Sequence, residues 1–225
     1  MACKDKLGQR QVSHKHSWRA KLFFTLGLLS LLIGAVLQSA TSHPTALRWM
    51  YPLKHQSLIC KYAGEHQLSP TLVAALIHRE SNFRDQARSQ VGALGLMQIM
   101  PSTGQWVAQC LLLEQLESPE HLLSVDKNIR IGTSYLGYLR SRFSNQPVAY
   151  LAAYNAGPES LSRWSDDPTR LTVSQIGFPE TRSYVKAVLA DQKAYRRLYG
   201  ESLRGCALEP ENQKAFGLAW ALGRQ

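Results

Sequence analysis

Residues 69–81 read SPTLVAALIHRES, and this stretch predicts the helix around which the rest of the domain is organised. Ser69 followed by Pro70 is typical of an N-cap residue and a first helical turn. At about 100° per residue, the apolar side chains fall within a stripe roughly 140° wide. These side chains are Leu72, Val73, Leu76 and Ile77. Glu80 projects near the middle of the stripe, so a carboxylate is expected on the apolar face.

The surroundings of Glu80 decide what this carboxylate does, because a glutamate is almost never fully buried without a partner. Loss of hydration disfavours the charged form and raises the pKa, which suits a general acid that works near neutral pH. The alternative is a structural ion pair, in which Arg79, Arg84 or another cation neutralises Glu80 at the helix end. Periodicity alone leaves both interpretations open.

On the C-terminal side of this helix, the chain predicts further helices with short connections. Ser102 with Gln105 predicts a capping box, which opens a helix through WVAQCLLLEQL. Apolar residues at spacings of three and four between residues 129 and 143 predict a second helix. A third begins at Pro147 and ends at Gly157, which is followed by a second proline.

The last predicted helix carries a cluster of apolar residues and runs towards Tyr199. The cluster consists of Tyr184, Val185, Val188 and Leu189. No stretch alternates apolar and polar residues for long enough to predict a central sheet. Residues 56–200 are therefore predicted to form one all-α domain, between a linker at 43–55 and a tail at 201–225 that has no predicted structure.

Two glycine-containing segments bring polar groups that suit a ligand cleft. Residues 92–101 read GALGLMQIMP, where glycine allows close backbone approach and Gln98 supplies an amide. The competing interpretation is a connecting turn whose apolar side chains fill the core. Residues 152–158 read AAYNAGP and end a helix with Tyr154 and Asn155. These two residues can line a sugar-binding cleft or serve as core and cap.

Four ordered motifs carry a resemblance to a known family. They are Glu80-Ser81, GLMQIMP at 95–101, AYNAGP at 153–158 and PETRSYV at 179–185. In this order and at these gaps they resemble the soluble lytic transglycosylase family of peptidoglycan-cleaving enzymes, over about residues 51–199. The resemblance implies a domain with the fold of goose-type lysozyme and Glu80 as its catalytic acid and base. It further implies a glycan cleft lined by Ser89, Gln98, Tyr154, Asn155 and Tyr184, with a wall shaped by Gly95 and Met97.

The reaction that the resemblance implies needs one carboxyl group and no cofactor. Glu80 protonates the glycosidic oxygen between N-acetylmuramic acid and N-acetylglucosamine, then takes a proton from the muramoyl C6 hydroxyl as a 1,6-anhydro ring closes. Other acidic residues are expected to be solvated or capping charges. They are Asp85, which lies off the Glu80 face, Asp126, Glu159 and Glu180. The alternatives are a muramidase that hydrolyses the same bond and an inactive, membrane-tethered peptidoglycan-binding protein.

The N-terminal residues predict a membrane segment. Residues 1–21 hold six lysines and arginines against one aspartate, a net +5 out of the chain's formal +10. Residues 22–37, LFFTLGLLSLLIGAVL, are 16 residues long, short of the roughly 20 of a full span, although the uncharged residues 38–42 can complete a tilted one. The segment can be a signal peptide that is cleaved near Ala40 and Ser42, or an uncleaved anchor. The length of the segment and the long basic leader before it favour the anchor. Both place the chain after His43 outside the cytoplasm.

The partners expected from these features are peptidoglycan glycan strands and, through residues 22–42, a membrane, with the protein acting as a monomer. Nucleic acid is not expected, because half of the net charge sits in the leader beside the apolar segment. Three cysteines fall in the exported part, so at least one is unpaired or bonds to another chain. They are Cys60, Cys110 and Cys206. The histidines are scattered singly, and no metal site is predicted.

Overall fold

The computed structural model describes residues 15–42, 44–204 and 206, and regular structure within them is helical. The α-helices are α1 (Lys15–Ser42), α2 (Pro44–Met50), α3 (Gln56–Glu65), α4 (Pro70–Ser81), α5 (Pro101–Cys110), α6 (Val125–Arg142), α7 (Pro147–Ala156) and α8 (Pro179–Arg204). Short 3-10 helices lie at Pro119–Leu123, Pro158–Arg163, Pro168–Arg170 and Val173–Gln175. Pairing between extended residues is confined, in this described part, to two isolated bridges. The predicted all-α fold class is confirmed.

The chain divides into one unit of residues 1–49 and a second unit from Met50 onward. In the first unit, α1 exposes large apolar side chains, including Phe23 at 73% and Phe24 at 74%. Across the residues that the structure describes, no helix combines the length and apolarity that crossing a membrane requires. The membrane segment expected at residues 22–42 is therefore not shown and stays a proposal.

Helix α4 lies in the core of the second unit and packs most extensively against α8. Its residues 71–77 are all buried, so the helix is enclosed on every side over two turns rather than along one stripe. The small side chains of Ala74 and Ala75 allow neighbouring helices to approach the remaining sides closely. The predicted start after Ser69 is confirmed, although the Ser69 hydroxyl bonds to the Thr71 hydroxyl instead of capping the helix.

The capping box predicted at Ser102 and Gln105 is wrong. Helix α5 begins at Pro101, with Met100 as its N-cap residue. Proline suits the first helical position, because its missing N–H has no partner there and its φ is already helical. The helix also ends earlier than predicted, at Cys110, and the following residues LLLEQL are not helical.

The three later helices confirm their predictions. Helix α6 contains most of the periodic apolar residues, and its buried members include Ile129 and Leu136. Helix α7 begins at Pro147 and is followed by Gly157, whose φ is 80°. Helix α8 extends beyond Tyr199 to Arg204.

The end of the predicted linker is attached to α8. The hydroxyl of Tyr195 donates a hydrogen bond to the Pro52 carbonyl at 2.7 Å, and that of Tyr199 donates to the Tyr51 carbonyl at 2.8 Å. Tyr195 is fully buried. These contacts make residues 51–52 part of the helical unit, whereas the sequence predicted a linker through residue 55.

A disulfide joins Cys60 in α3 to Cys206, just beyond α8, over a sequence separation of 146 residues. Cys110 is free and exposed. In the chain-entropy model, closing a loop of this length destabilises the unfolded state by about 5 kcal/mol. The bond therefore fixes the far end of α8 against the domain. The rest of the predicted tail, residues 207–225, lies outside the described residues.

Candidate active site

Glu80 lies in the last turn of α4, where that helix packs on α8. The hydroxyl of Tyr184, in the second turn of α8, donates a hydrogen bond of 2.5 Å to Glu80 Oε1. The two residues are 104 positions apart in the sequence. The packing of the two helices therefore creates a pair that neither helix contains alone.

Enclosure by the protein sets the protonation of Glu80. Lost hydration raises the pKa of its carboxyl group from 4.5 to about 7, and this is the dominant cause. The hydrogen bond from Tyr184 acts in the opposite direction, because it stabilises the charged form. Near neutral pH, a large fraction of Glu80 is consequently protonated and can donate a proton.

The alternative interpretation of Glu80, a structural ion pair, is not what the structure shows. Arg79 pairs with Asp191 at 2.5 Å, and Arg84 Nε donates to the backbone carbonyl of Ser81 at 3.0 Å. Within the described part of the chain, no salt bridge includes Glu80. Its carboxyl group is thus held by a neutral hydroxyl, which leaves the proton available for transfer.

Tyr154 is a second tyrosine beside Glu80. Its hydroxyl, at the end of α7, donates a hydrogen bond of 2.8 Å to the carbonyl of Met97. Burial raises the pKa of Tyr154 well above 10, and the charge on Glu80 raises it further. The side chain therefore stays neutral and acts as a rigid donor that ties α7 to the loop before α5.

Hydrogen bonds with Asn128 hold the loop of residues 94–99, and the sequence analysis did not single out this residue. Asn128 is fully buried, and its Oδ1 accepts a hydrogen bond of 2.7 Å from Met97 N. Its Nδ2 donates to the carbonyls of Leu94 and Leu122 at 2.9 and 2.7 Å. An asparagine inside the apolar periodicity of α6 was the available signal, since a buried amide needs several partners.

Gly95, Met97 and Gln98 meet in this loop. Gly95 has a φ of 74° and Gln98 a φ of 47°. The Nε2 atom of Gln98 donates to the carbonyl of Gly95 at 2.8 Å and to that of Ala87 at 3.3 Å. Met97 is fully buried, with its side chain against Gly132. Both interpretations of this segment therefore hold: Met97 fills the core, and Gly95 allows the backbone to approach its neighbours closely.

The remaining two residues of the expected cleft have their own local contacts. Ser89 Oγ accepts a hydrogen bond of 2.9 Å from Ala93 N, within the turn before the glycine loop. Asn155 is exposed, and its Oδ1 accepts a hydrogen bond of 2.7 Å from the Thr181 hydroxyl, which joins the end of α7 to the start of α8. The structure does not join either side chain directly to Glu80.

Three of the four other carboxylates considered in the sequence bind partners away from Glu80, and the fourth is exposed. Asp85 contacts His55 at 2.9 Å, and Asp126 accepts a hydrogen bond of 2.8 Å from Tyr62. Glu159 pairs with an arginine of α6, and Glu180 is exposed in the first turn of α8. Across the described residues, no group of three or more His, Cys, Asp or Glu side chains is arranged to hold a metal ion.

Glu80 is a largely buried, protonatable glutamate held by a tyrosine in an all-helical domain, and these are features that a general acid requires. The chain belongs to the Transglycosylase SLT domain family, whose model matches residues 57–174. It is 37% identical over 156 residues to a soluble lytic murein transglycosylase of Salmonella typhimurium. The matched region covers 67% of this chain and 24% of the relative.

Two solved structures are similar to this chain. The 70 kDa soluble lytic transglycosylase of Escherichia coli superposes with a TM-score of 0.65 at 34% identity, covering 74% of this chain and 28% of that one. An inactive glutamate-to-glutamine mutant of the lytic transglycosylase Slt of Pseudomonas aeruginosa gives 0.64 at 31% identity, covering 85% and 30%. The chain spans about a quarter of the length of the soluble lytic murein transglycosylases that it matches.

Tyr184→Phe tests how the hydroxyl acts on Glu80. Removing a donor that stabilises the carboxylate is expected to raise the pKa of Glu80 further, so the alkaline limb of the pH profile of kcat/KM moves to higher pH. Loss of one hydrogen bond to a charged group is also expected to lower kcat roughly 10- to 100-fold. Rates of glycan cleavage measured between pH 5 and 9 check both effects.

Tyr195→Phe is the matched control, because it removes a buried tyrosine hydroxyl from the same helix away from Glu80. Its pH profile should keep the parent's alkaline limb, whatever it does to stability. An unchanged alkaline limb in Tyr184→Phe would contradict a direct effect of the hydroxyl on Glu80.

Proposed function

We propose that this protein is a lytic transglycosylase that cleaves the bond between N-acetylmuramic acid and N-acetylglucosamine in peptidoglycan without water. The observation that carries the proposal is the Glu80 carboxyl group, which has a pKa near 7 and a neutral Tyr184 hydroxyl as its partner. An acid with this pKa can give up a proton and take one back at neutral pH. Membership of the family supports the same reaction.

The first step breaks the glycosidic C1–O bond. Protonated Glu80 gives its proton to the glycosidic oxygen, which leaves with the bonding electron pair as the hydroxyl of the departing sugar. Positive charge then develops at C1 of the muramoyl residue, and the 2-acetamido group of the substrate relieves it, as in substrate-assisted glycosidases. The enzyme supplies a proton and a partly dehydrated site for this step.

The second step closes a ring. Glu80, now a carboxylate, takes the proton of the muramoyl C6 hydroxyl while that oxygen bonds to C1, which yields the 1,6-anhydro end and restores the protonated acid. An intramolecular hydroxyl has the advantage of proximity, so no second carboxylate has to activate water. The engagement of Asp85 with His55 and of Asp126 with Tyr62 supports a single-carboxylate mechanism.

The substrate-binding residues are part of the same proposal. The loop that carries Gly95, Met97 and the amide of Gln98 shapes the wall of the glycan cleft. The rings of Tyr154 and Tyr184 line the cleft beside Glu80. Ser89 and Asn155 line its two ends. The hydrogen bond from Tyr184 to Glu80 supports this arrangement, and so does the effect of the Glu80 charge on the pKa of Tyr154.

Mass spectrometry of the products from purified peptidoglycan sacculi tests this function. The expected product ends in 1,6-anhydromuramic acid and is lighter by one water than a hydrolysed end. Hydrolysed ends would replace the proposal with a muramidase, as in goose-type lysozymes. Binding to sacculi without any released product would replace it with a peptidoglycan-binding protein that has no activity.

We propose further that residues 22–42 carry the domain to the outer face of the cytoplasmic membrane, as an uncleaved anchor or as a signal that is removed. The uncharged, largely apolar run of residues 22–42 and the basic leader before it support this placement. Because one chain supplies Glu80, Tyr154 and Tyr184, the protein is proposed to act as a monomer. Extraction of cell fractions with alkaline carbonate tests the placement, since recovery in the cytoplasmic fraction would contradict it. Light scattering of the purified protein tests the monomer.

A further inference from the structure

Helix α8 carries a row of cations on its outer face. The row consists of Lys186, Lys193, Arg197 and Arg204, all of which are exposed, and we call these four residues the basic row. At about 100° per residue they fall within roughly 40° of one another around the helix. At about 1.5 Å per residue the row is about 27 Å long. It therefore forms one straight, positively charged edge of the domain.

Acidic side chains compensate little of the charge on the basic row. Within the part of the chain that the structure describes, no salt bridge includes the first three residues of the row. The fourth, Arg204, makes an exposed contact of 3.7 Å with Glu201. Asp191, the acid in the middle of α8, is buried and pairs with Arg79, so its charge is already matched. Like charges on one helix face repel one another, and an anionic partner would relieve this repulsion.

The composition of this helix face fits a charged surface better than a protein partner. No large apolar side chain is exposed along α8, which the structure describes in full. Protein interfaces usually bury aromatic anchors and contain few lysines at their centre. A straight row of cations can instead contact a flat layer of negative charges along its whole length. The headgroups of anionic phospholipids form such a layer.

The basic row lies on the opposite side of α8 from the candidate active site. Tyr184, whose hydroxyl bonds to Glu80, is about 180–220° away from the row around the helix. The Tyr184 side of α8 packs on α4, whereas the side that carries the row is exposed. A surface that binds the row therefore leaves the Glu80 site turned away from that surface.

The sequence connects this helix closely to the proposed membrane segment. Tyr51 lies nine residues after the end of residues 22–42, and nine residues reach at most about 30 Å. The carbonyls of Tyr51 and Pro52 accept hydrogen bonds from Tyr199 and Tyr195 of α8. If residues 22–42 lie in the bilayer, the C-terminal half of α8 is therefore tethered near the bilayer surface.

We infer that the basic row binds the anionic phospholipid headgroups of the membrane and orients the domain with the Glu80 site facing away from the bilayer. The inference rests on the proposed function, because the proposed placement of residues 22–42 is what selects a membrane as the partner. The contact is electrostatic, so it weakens as the salt concentration rises. It adds a second attachment to the one that residues 22–42 provide, and it turns the site towards the glycan strands.

Chemical labelling of lysines on vesicles tests the basic row. The full-length chain is mixed with vesicles of phosphatidylcholine alone or of three parts phosphatidylcholine to one part phosphatidylglycerol. An amine reagent that cannot cross the bilayer is then added outside. Labelling of Lys186 and Lys193, read by peptide mass spectrometry, is expected to be at least about fivefold slower on the anionic vesicles, the factor that one cation contributes near an anionic surface. High salt should remove the difference, and Lys61, exposed in α3, should react equally on both.

Arg197→Gln combined with Arg204→Gln tests the row without removing the lysines that report on it. Loss of two cations is expected to weaken the contact about 25-fold, so Lys186 should react nearly as fast on anionic vesicles as on neutral ones. Arg88→Gln combined with Arg170→Gln is the matched control, because both arginines are exposed and neither lies in α8. It removes the same charge and should leave Lys186 protected.

Flotation of the same mixtures separates the basic row from the proposals on which it rests. If the chain floats with both kinds of vesicle and Lys186 reacts equally on them, the inference is wrong and the membrane placement stands. If the chain floats only with anionic vesicles and Lys186 is protected there, the basic row is right and the anchor is wrong. Protection by sacculi rather than by vesicles would overturn the lipid partner in favour of an anionic wall polymer.

Cleavage of soluble glycan fragments tests the proposed reaction separately from the membrane contact. The combined Arg197→Gln and Arg204→Gln variant should form anhydro ends at the rate of the parent, because neither arginine takes part in the reaction. If neither protein forms them, the proposed reaction is wrong, whereas the labelling of Lys186 still decides the basic row.

Discussion

Glu80→Gln is expected to lower the rate of glycan cleavage by at least about a thousandfold, the upper range for removal of a general acid–base group. Both proton transfers of the proposed reaction use this one side chain, so no other residue shares the loss. The glutamine keeps the shape of the side chain, and its Oε1 can still accept the hydrogen bond from Tyr184. Release of soluble fragments from sacculi at pH 6 and 7 measures the effect.

Glu201→Gln is a suitable control for this change, because its carboxylate is 93% exposed at the far end of α8. It removes the same charge without touching the site, and its rate should equal that of the parent. Substantial turnover by Glu80→Gln would contradict the lytic transglycosylase and the muramidase together, since both need this acid.

The same substitution is expected to stabilise the fold at alkaline pH. The pKa of Glu80 is 4.5 when unperturbed and about 7 in the folded protein, so below pH 4.5 both states are protonated and the carboxyl group costs nothing. As the pH rises above 4.5 the unfolded state ionises first, and by about pH 8 the folded state has lost about 3 kcal/mol of stability. Glu80→Gln removes that cost at pH 8 and changes little at pH 4.

Chemical denaturation at the two pH values checks this sign. A larger free energy of unfolding for Glu80→Gln at pH 8, with nearly equal values at pH 4, is the expected result. The opposite order would mean that the Glu80 carboxylate stabilises the fold, as a structural ion pair would. In the parent, the rate should fall as the pH rises through 7, because the protonated acid disappears.

The position of Glu80 could be predicted from the sequence, because one helix determines it. The spacing of Leu72, Leu76 and Glu80 fixes which side of α4 each occupies, whatever packs against it. The pKa of Glu80 could not be predicted in the same way. Burial among the packed helices raises this pKa, and the hydrogen bond from Tyr184, which lies 104 residues away, lowers it. Both effects arise only after α8 has packed on α4.

The errors in the sequence interpretation arise from local signals that compete. Ser102 and Gln105 satisfy the spacing of a capping box, yet Pro101 can already occupy the first helical turn, so α5 begins there. The support of the glycine loop by Asn128 depends on a contact over 31 residues. Only its residue type, a polar side chain in an apolar pattern, was visible beforehand.

Gly95→Ala is expected to cost about 3 kcal/mol or more in stability and to remove most of the activity. A Cβ atom at this position would overlap the Nδ2 atom of Asn128 and the carbonyl oxygen of Leu122. The φ of 74° adds about 1–2 kcal/mol of strain for any residue with a side chain. Displacing Asn128 leaves buried amide and carbonyl groups without partners, at about 1–3 kcal/mol.

Activity should fall with stability because the loop that carries Gly95 also carries the Met97 carbonyl, the acceptor for the Tyr154 hydroxyl. If Asn128 moves, Met97 N loses its partner, and the ring of Tyr154 loses its fixed position beside Glu80. The free energy of unfolding and kcat, both measured at a temperature where the variant is folded, separate the two effects.

Gly92→Ala is the matched comparison, since Gly92 also has a positive φ, 90°, but a Cβ atom there would meet nothing within 4 Å. It should therefore cost only the backbone strain, about 1–2 kcal/mol, and leave Tyr154 in position. Equal losses in the two variants would mean that backbone strain alone accounts for Gly95. The expected result is that Gly95→Ala loses more stability than Gly92→Ala, and that this loss is smaller in a background that carries Asn128→Ala. That result would show that the Asn128 amide is what requires a glycine at position 95.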